Sequence, residues 1–424
     1  MVNKISLFVS SRLFKNITAL SFLQFMNYIF PFITVPYVVR VLGAEKFGLV
    51  SFAAAFTAYF SILIDYGFNF SAARSISINR NNPAKASQII TSVFLIKVLL
   101  FFISALLFLV IIFSVDFFSG EKELYFYSSI AVIGTLLTPL WYFQGTERMI
   151  VIAGIAFFVK IILVVSIFTL INESSDYKIY ALLNSSSTLT IGVISFLFVS
   201  NNFILPNKKS AAILLDELKE GSILFLSNLS INLYTVSNTF ILGLFAPPVI
   251  VGYWSAADKI RMAVQNILLP VTQGLYPHLS KLFSESFEMA LQFIKKSFWI
   301  IALLSLISSV LLFLFAEPLV QIILGVEFLS SVYILKIISF LPFIIILSNI
   351  SGIQVLLNLK GSKEFTFTVL IAALFNIVFS LIIVPKRLAI GTALSILITE
   401  VIVTSLMLYF AYRKMKKAGL RIEV

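Results

Sequence analysis

Twelve long apolar runs constrain the fold of this chain more than any other feature of its sequence. Each run has about 20–28 residues, the length that an α-helix needs to cross a bilayer. Backbone polar groups must be satisfied within the segment inside lipid, so these runs predict helices. The predicted spans are residues 16–39, 47–69, 87–113, 124–143, 149–171, 179–200, 221–245, 250–277, 297–316, 331–357, 366–384 and 389–411. Since 60% of the residues are hydrophobic and only 12% are charged, the composition excludes a soluble globular enzyme.

The positions of Lys and Arg predict how the spans are oriented. If the N-terminus is cytoplasmic, 20 of the 31 Lys and Arg residues lie in inside segments and 6 lie in outside segments. Such an excess marks the cytoplasmic side of a membrane protein. We therefore predict that both termini are cytoplasmic. Orientation also explains the net charge of +12, so no nucleic-acid partner is expected.

A weak internal repeat divides the chain into two halves. A shift of 204 residues places Gly48 on Gly252, and it also places a polar stripe of the first span on one of the seventh. Matching polar faces are typical of transporters built from repeats, although such residues also hold helices together. The predicted fold is an all-α polytopic membrane protein, with about 12 transmembrane helices in two pseudo-symmetric six-helix bundles around a central cavity. The predicted parts are an interfacial cytoplasmic segment (1–15), an N-terminal bundle (16–200), a cytoplasmic linker (201–220), a C-terminal bundle (221–412) and a basic cytoplasmic tail (413–424).

Ionisable residues near the middle of the spans are the candidate functional groups. They are Lys97, Lys160, Asp258, Lys259, Arg261 and Glu400. Each would cost about 2.5–3.5 kcal/mol if it faced lipid, so we expect all six to face the protein interior or a wet cavity. Their charges sum to +2, which favours an anionic ligand that a guanidinium could hold with two parallel hydrogen bonds.

A purely structural role for these charges is also open. Asp258 and Arg261 are three residues apart, so they can pair on one helical face, and Glu400 could pair with a lysine. With no cysteine and one histidine, a thiolate or His-rich metal site is excluded. The sequence lacks the glycine-rich phosphate-binding loop of ATPases, so no cofactor is expected.

Five motifs, in order along nearly the whole chain, resemble those of bacterial polysaccharide flippases. They are Pro36-Tyr-Val-Val-Arg40-Val-Leu42-Gly43 with Phe47-Gly48; Asp65-Tyr-Gly67-Phe-Asn69 with Ala73-Arg74; Pro139-Leu-Trp141-Tyr-Phe-Gln144-Gly145-Thr-Glu147-Arg-Met149; Gly252-Tyr-Trp-Ser-Ala-Ala-Asp-Lys259; and Tyr276-Pro277-His-Leu-Ser280. The resemblance is to the O-antigen and capsule repeat-unit flippases of the multidrug/oligosaccharidyl-lipid/polysaccharide exporter superfamily.

This resemblance implies a transporter, not an enzyme, in the bacterial inner membrane. Its substrate would be an oligosaccharide linked to undecaprenyl diphosphate, moved from the cytoplasmic to the periplasmic leaflet by alternating access. Membrane lipids, and a polymerase and chain-length proteins of the same pathway, would be its partners. The diphosphate would meet Arg261, Lys259, Lys160 and Lys97, and the sugars would meet Gln24, Asn228, Asn232 and Asn238. Arg40, Asp258 and Glu400 are candidates for gating or for coupling to H⁺ or Na⁺.

Three other functions remain open at this point. A multidrug or cation antiporter of the same superfamily would need an acidic cavity, whereas cationic residues outnumber acidic ones at mid-depth. A lipid II flippase would differ only in its substrate. A polysaccharide polymerase is typically built with one large periplasmic loop, and every predicted connection here is short.

Overall fold

The computed structural model describes residues 12–202, 229–232 and 234–417, and these ranges are helical with short connections and without a β-strand. The fourteen α-helices of these ranges are α1 (Arg12–Asp65), α2 (Ser71–Ile78), α3 (Pro83–Ser114), α4 (Lys122–Leu137), α5 (Leu140–Gly145), α6 (Met149–Leu170), α7 (Tyr177–Val199), α8 (Leu229–Phe245), α9 (Pro248–Glu285), α10 (Phe287–Leu314), α11 (Ala316–Ile323), α12 (Ser330–Ile338), α13 (Leu341–Asn349) and α14 (Ser362–Lys417). A π-helix (Ile350–Leu357) follows α13.

All twelve predicted spans are mainly helical where the structure describes them, with short breaks such as 66–69, 138–139 and 339–340. Eight helical stretches are long and apolar enough to cross a membrane. Two of these stretches, in α1 and α14, hold two predicted spans each, and α8 and α9 match the seventh and eighth spans. The chain is therefore an all-α, multi-pass membrane protein, as the apolar runs predict.

The two longest helices are each broken at one residue, which lies between two predicted spans. In α1 the break is Gly43, whose φ of 72° is open to glycine because it has no Cβ. In α14 the break is Leu388, with φ 47° and ψ −127°. A leucine in the left-handed region is strained, so the packing around this corner must hold it there.

Contacts between residues divide the chain into two compact units. The first takes in residues up to Leu42 and from Val50 to Leu229; the second takes in Gly43–Leu49 and the chain from Ser230. The predicted interfacial segment and linker lie mostly outside the described residues, so the predicted domain boundaries stay predictions.

The helices carry apolar side chains on their outer faces and bury small polar ones. On α3, the side chains of Leu99, Phe102 and Leu106 are more than half exposed, and their spacing puts them on one helical face. Ser92 and Ser104 of the same helix are fully buried. This inverted pattern is the one expected when hydrocarbon, instead of water, surrounds the protein.

Small residues set the close approach of α4 and α7 in the first unit. A Cβ added to Gly192 would lie 2.5 Å from the carbonyl oxygen of Gly134, and one added to Gly134 would lie 2.6 Å from the carbonyl carbon of Thr188. Helices in membranes gain stability from such backbone contact because burying apolar side chains away from lipid gains little.

We predict that Gly192→Val separates α4 from α7 and destabilises the protein by about 1–3 kcal/mol, the usual cost of overpacking. The measurement is the midpoint of thermal unfolding in detergent. Gly154→Val is the matched control, since a Cβ there meets nothing within 4 Å and the change in helix propensity is the same. Equal midpoints for the two variants would contradict the prediction.

Candidate functional site

Arg261 lies at the centre of a charged network in the second unit. Its side chain projects from α9 and is only 5% exposed. Its Nε donates to Asp258 Oδ1 at 2.7 Å, and its Nη1 donates to Gln265 Oε1. The spacings of three and four residues place all three groups on one face of α9. The ion pair that the sequence allows between Asp258 and Arg261 is therefore formed.

A second carboxylate acts on the same arginine from α14. Glu400 is 4% exposed and interacts electrostatically with Arg261. The Tyr234 hydroxyl on α8 donates a hydrogen bond to the Glu400 carboxylate. One guanidinium is thus paired with Asp258 on its own helix, and it interacts electrostatically with a second acidic group from another helix. We call Asp258, Arg261, Gln265, Glu400 and Tyr234 the arginine cluster.

Neutral polar side chains extend from the arginine cluster along α8 and α14. Asn238 is buried, and its Nδ2 donates to the Tyr234 carbonyl at 2.6 Å. Asn376 Nδ2 donates to the hydroxyls of Ser395 at 3.2 Å and Thr399 at 3.0 Å. Among the described residues, Asn376 Oδ1 is buried without a hydrogen-bond partner. Amide and hydroxyl groups therefore line up beside the two buried charges.

Lys97 has local partners in the first unit. It is 1% exposed, and its Nζ donates to the carbonyl oxygens of Thr135 at 2.8 Å and Thr138 at 3.4 Å. These carbonyls are at the C-terminal end of α4, where a cation complements the helix dipole. Lys97 also interacts electrostatically with Asp65, whose Oδ2 accepts a hydrogen bond from Asn69 at 2.6 Å. Lys97 therefore caps a helix and pairs with a carboxylate.

The four predicted diphosphate ligands are split between the two units. Lys97 and Lys160 belong to the first unit, and Lys259 and Arg261 belong to the second. Lys160 is partly buried on α6, whereas Lys259 is exposed on α9. Residues two apart on a helix point to different sides, so the structure does not bring Lys259 together with Arg261.

The remaining predicted residues lie at several places. Arg40 is exposed on α1, close to the break at Gly43. Asn232 is partly buried on α8, six residues before the buried Asn238. The side chain of Gln24 and the whole of Asn228 lie outside the described residues.

Sequence reasoning missed three residues that the structure brings into these networks. Tyr234 precedes Asn238 by four residues, so the polar stripe of α8 already contained it. Asn376 is an isolated amide in an otherwise apolar span. Asp65 lies at the end of its span and interacts electrostatically with the buried Lys97 of another helix. The partners of these three residues lie on other spans, so they become known only when the packing of the helices is known.

The family described as "Polysaccharide biosynthesis protein" matches residues 13–283. The chain belongs to this family. The "Putative O-antigen transporter" of Escherichia coli (strain K12) is 33% identical over 397 residues, which is 93% of this chain and 96% of that relative. The family resemblance carried by the five motifs is therefore confirmed.

Solved structures share the fold at low sequence identity. An inward-facing multidrug resistance MATE family transporter of the MOP superfamily has a TM-score of 0.72 at 14% identity, and the match covers 95% of this chain and 99% of that one. The lipid II flippase MurJ, in an inward closed conformation, has a TM-score of 0.72 at 15% identity, covering 96% and 90%. Equal scores show that this family member has their common fold, and they do not select a substrate.

We predict that Lys97→Met lowers stability by about 1–3 kcal/mol, because it removes the donor to two buried carbonyls and the positive charge that acts on Asp65. Adding Asp65→Asn should recover much of the loss, since the double variant buries no net charge. The thermal unfolding midpoints of the two single variants and the double variant form the cycle that measures this coupling. Additive losses would show that the two residues are energetically independent.

Proposed function

We propose that the protein is a flippase for undecaprenyl-diphosphate-linked oligosaccharide repeat units. The observation that carries this proposal is 33% identity to an O-antigen transporter over nearly the full length of both chains. The membrane-spanning fold that it shares with a lipid II flippase supports the proposal, because that protein is also named for moving a lipid-linked substrate.

The orientation follows from the distribution of basic residues. With 20 Lys and Arg residues in predicted inside segments and 6 outside, both termini would lie in the cytoplasm. In the bacterial inner membrane, a flippase with this orientation would load its substrate from the cytoplasmic leaflet and release it to the periplasmic leaflet. The polymerase and chain-length proteins of the same pathway would then receive the repeat units.

Arg261 is the strongest candidate for binding the diphosphate. It is buried among polar groups, and its guanidinium can form two parallel hydrogen bonds to phosphate oxygens. Lys97 is already held by two carbonyls, which makes it a helix cap in this arrangement. Lys160 and Lys259 remain candidates for additional positive charge.

A phosphate that binds Arg261 through Nε or Nη1 must exchange partners with the protein. Asp258 accepts a hydrogen bond from Nε and Gln265 accepts one from Nη1, and Glu400 adds a second negative charge. A diphosphate that takes the guanidinium leaves these carboxylates without their counter-charge in a buried place, which is costly. Uptake of H⁺ or Na⁺ by Asp258 or Glu400 would relieve that cost and couple transport to an ion gradient.

The neutral polar side chains beside the arginine cluster are suited to binding the oligosaccharide. Asn232 and Asn238 on α8 offer amide donors and acceptors, and the sequence adds Asn228, four residues before Asn232, and Gln24 of the first span. Sugar hydroxyls form hydrogen bonds with such groups without requiring a particular charge. This arrangement would tolerate several repeat-unit structures.

A cation antiporter is the second candidate that the fold admits, because a MATE transporter matches it equally well. Its substrates would require acidic groups free to receive a cation. Asp258 and Glu400 both face Arg261, and Asp65 faces Lys97. Each of these acidic groups thus faces a basic one, although the arginine cluster holds two carboxylates for one guanidinium, and the 33% identity to the O-antigen transporter is what favours the flippase.

A deletion strain tests the proposal directly. We expect it to lose surface polysaccharide and to accumulate lipid-linked repeat units with the sugars facing the cytoplasm. Plasmid-borne wild-type protein should restore the polysaccharide, Arg261→Ala should fail to restore it, and Arg261→Lys should restore it in part because lysine cannot form the bidentate contact. The exposed Arg413→Ala is the matched control and should behave as wild type.

Two outcomes of this experiment would contradict the proposal. Raised drug susceptibility with normal surface polysaccharide would identify an antiporter. Loss of viability with accumulated peptidoglycan precursor would identify a lipid II flippase.

We further predict that Asp258→Asn increases the amount of lipid-linked substrate that purifies with the protein. The substitution removes the group that competes with phosphate for Arg261 Nε, while the shape of the side chain is kept. Mass spectrometry of extracted lipid measures the ratio of substrate to protein. A lower ratio than in wild type would show that Asp258 supports binding instead of competing with it.

A further inference from the structure

Lys97 binds two carbonyl groups that the helix break after α4 leaves without an amide donor. In a continuous helix the Thr135 carbonyl would accept from the amide of residue 139, but that residue is Pro139, which has no N–H. The Thr138 carbonyl would accept from the amide of Tyr142, which donates to the Pro139 carbonyl at 3.0 Å instead. Lys97 Nζ donates to the Thr135 oxygen at 2.8 Å and to the Thr138 oxygen at 3.4 Å. The break therefore presents two oxygen atoms to one cation.

A carboxylate and an amide at the end of α1 belong to the same network. The Asp65 carboxylate acts electrostatically on Lys97. After Asp65 the chain turns sharply, with positive φ at Tyr66 (41°) and Gly67 (76°). Asn69 follows this turn, and its Nδ2 donates to Asp65 Oδ2 at 2.6 Å. Asn69 Oδ1 is buried without a hydrogen-bond partner in the described part of the chain.

Two further buried polar groups in this region lack a partner among the residues that the structure describes. They are Ser71 Oγ and Trp141 Nε1, in side chains that are no more than 2% exposed. The hydrophobic core that contains Trp141 also contains Ala72 and Ile96, the chain neighbours of Ser71 and Lys97. Because buried polar atoms are normally hydrogen-bonded, this region has the capacity to bind more than the ammonium group.

Oxygen atoms of these kinds are the ligands that alkali cations take in proteins. Carboxylate, amide and carbonyl oxygens bind hard cations, and backbone carbonyls replace the hydration shell of K⁺ in channel filters. We propose that Asp65, Asn69 and the carbonyls of Thr135 and Thr138 form a binding site for a monovalent cation, in which the Lys97 ammonium takes the place of Na⁺ or K⁺. We call it the tethered-cation site. Since Lys97 ties its charge to α3, the site is filled at every Na⁺ or K⁺ concentration.

The equivalent position in the second half of the chain is apolar. The shift of 204 residues places Asn82, the N-cap of α3, on Ser286, the N-cap of α10. The same shift places Lys97 on Ile301, which is buried. Packing of the repeated helix therefore does not itself require a cation at this depth. Ile301 also supplies a matched control for removal of the lysine.

Shortening the tether tests the tethered-cation site. Lys97→Ala removes the ammonium and the methylene groups beyond Cβ, which are the atoms of n-propylammonium. We expect the thermal unfolding midpoint of the purified variant in detergent to rise by about 2–4 °C when propylammonium, Na⁺ or K⁺ replaces choline at the same ionic strength. Choline is too bulky for the site and has no N–H to donate. Uncharged n-propanol should not raise the midpoint.

Three further proteins serve as controls in the same assay. The wild type should not respond to the choice of cation, because its own ammonium fills the site. Ile301→Ala opens space at the equivalent buried position without the oxygen ligands, so it should not respond either. Adding Asp65→Asn to Lys97→Ala should abolish the response, because the carboxylate supplies the negative charge that attracts the cation.

Lys97→Ser is a second variant that does not depend on whether Lys97→Ala folds, since its hydroxyl adds an oxygen ligand and makes the vacated space polar. It should show the same preference for Na⁺ or K⁺ over choline. Equal midpoints in all cations for both Lys97→Ala and Lys97→Ser would overturn the tethered-cation site. An equal response in Ile301→Ala, or in the variant that also carries Asp65→Asn, would overturn it as well. The assay contains no substrate, so its result is independent of the proposed flippase function.

Discussion

The cost of placing charge in hydrocarbon determines how the interior of this protein is arranged. A charged side chain facing lipid near mid-span costs about 2.5–3.5 kcal/mol, which is a large part of a typical folding free energy. Arg261 accordingly pairs with Asp258 and interacts electrostatically with Glu400, and Lys97 donates to carbonyls at a helix end and interacts electrostatically with Asp65. The buried charges are thus already compensated by other protein groups before any ligand binds. A ligand must compete with partners that the fold already supplies.

The same solvent explains why the helices meet through their smallest residues. Lipid surrounds the bundle, so apolar side chains gain little by turning inward, and backbones that approach closely gain dispersion contacts instead. Gly134 with Gly192 and Gly48 with Gly252 are the closest approaches of this kind in the described chain. The first contact lies within the first unit, and the second joins positions 204 residues apart within the second unit.

The spans could be predicted from the sequence because hydrophobicity over about 20 residues depends on no other part of the chain. The pairing of Asp258 with Arg261 was also predictable, since three residues on one helix fix its geometry. The roles of Lys97 and Lys259 were not. Lys97 finds carbonyls 38 and 41 residues away, and Lys259 points away from Arg261 although the two are neighbours in sequence. Contacts between helices decide such roles, and hydropathy does not encode them.

The π-helix at Ile350–Leu357 affects how the chain continues after α13. Its wider turn accommodates one more residue than an α-helical turn does, so an extra residue there is absorbed within the helix instead of a loop. Each such residue turns everything that follows by about 100° around the helix axis. Gly352 sits in this stretch, and a Cβ there would lie 2.9 Å from Met407 Sδ. The number of residues in this stretch therefore sets which face it presents to α14. Inserting or deleting a residue would change that face, whereas substituting a residue would not.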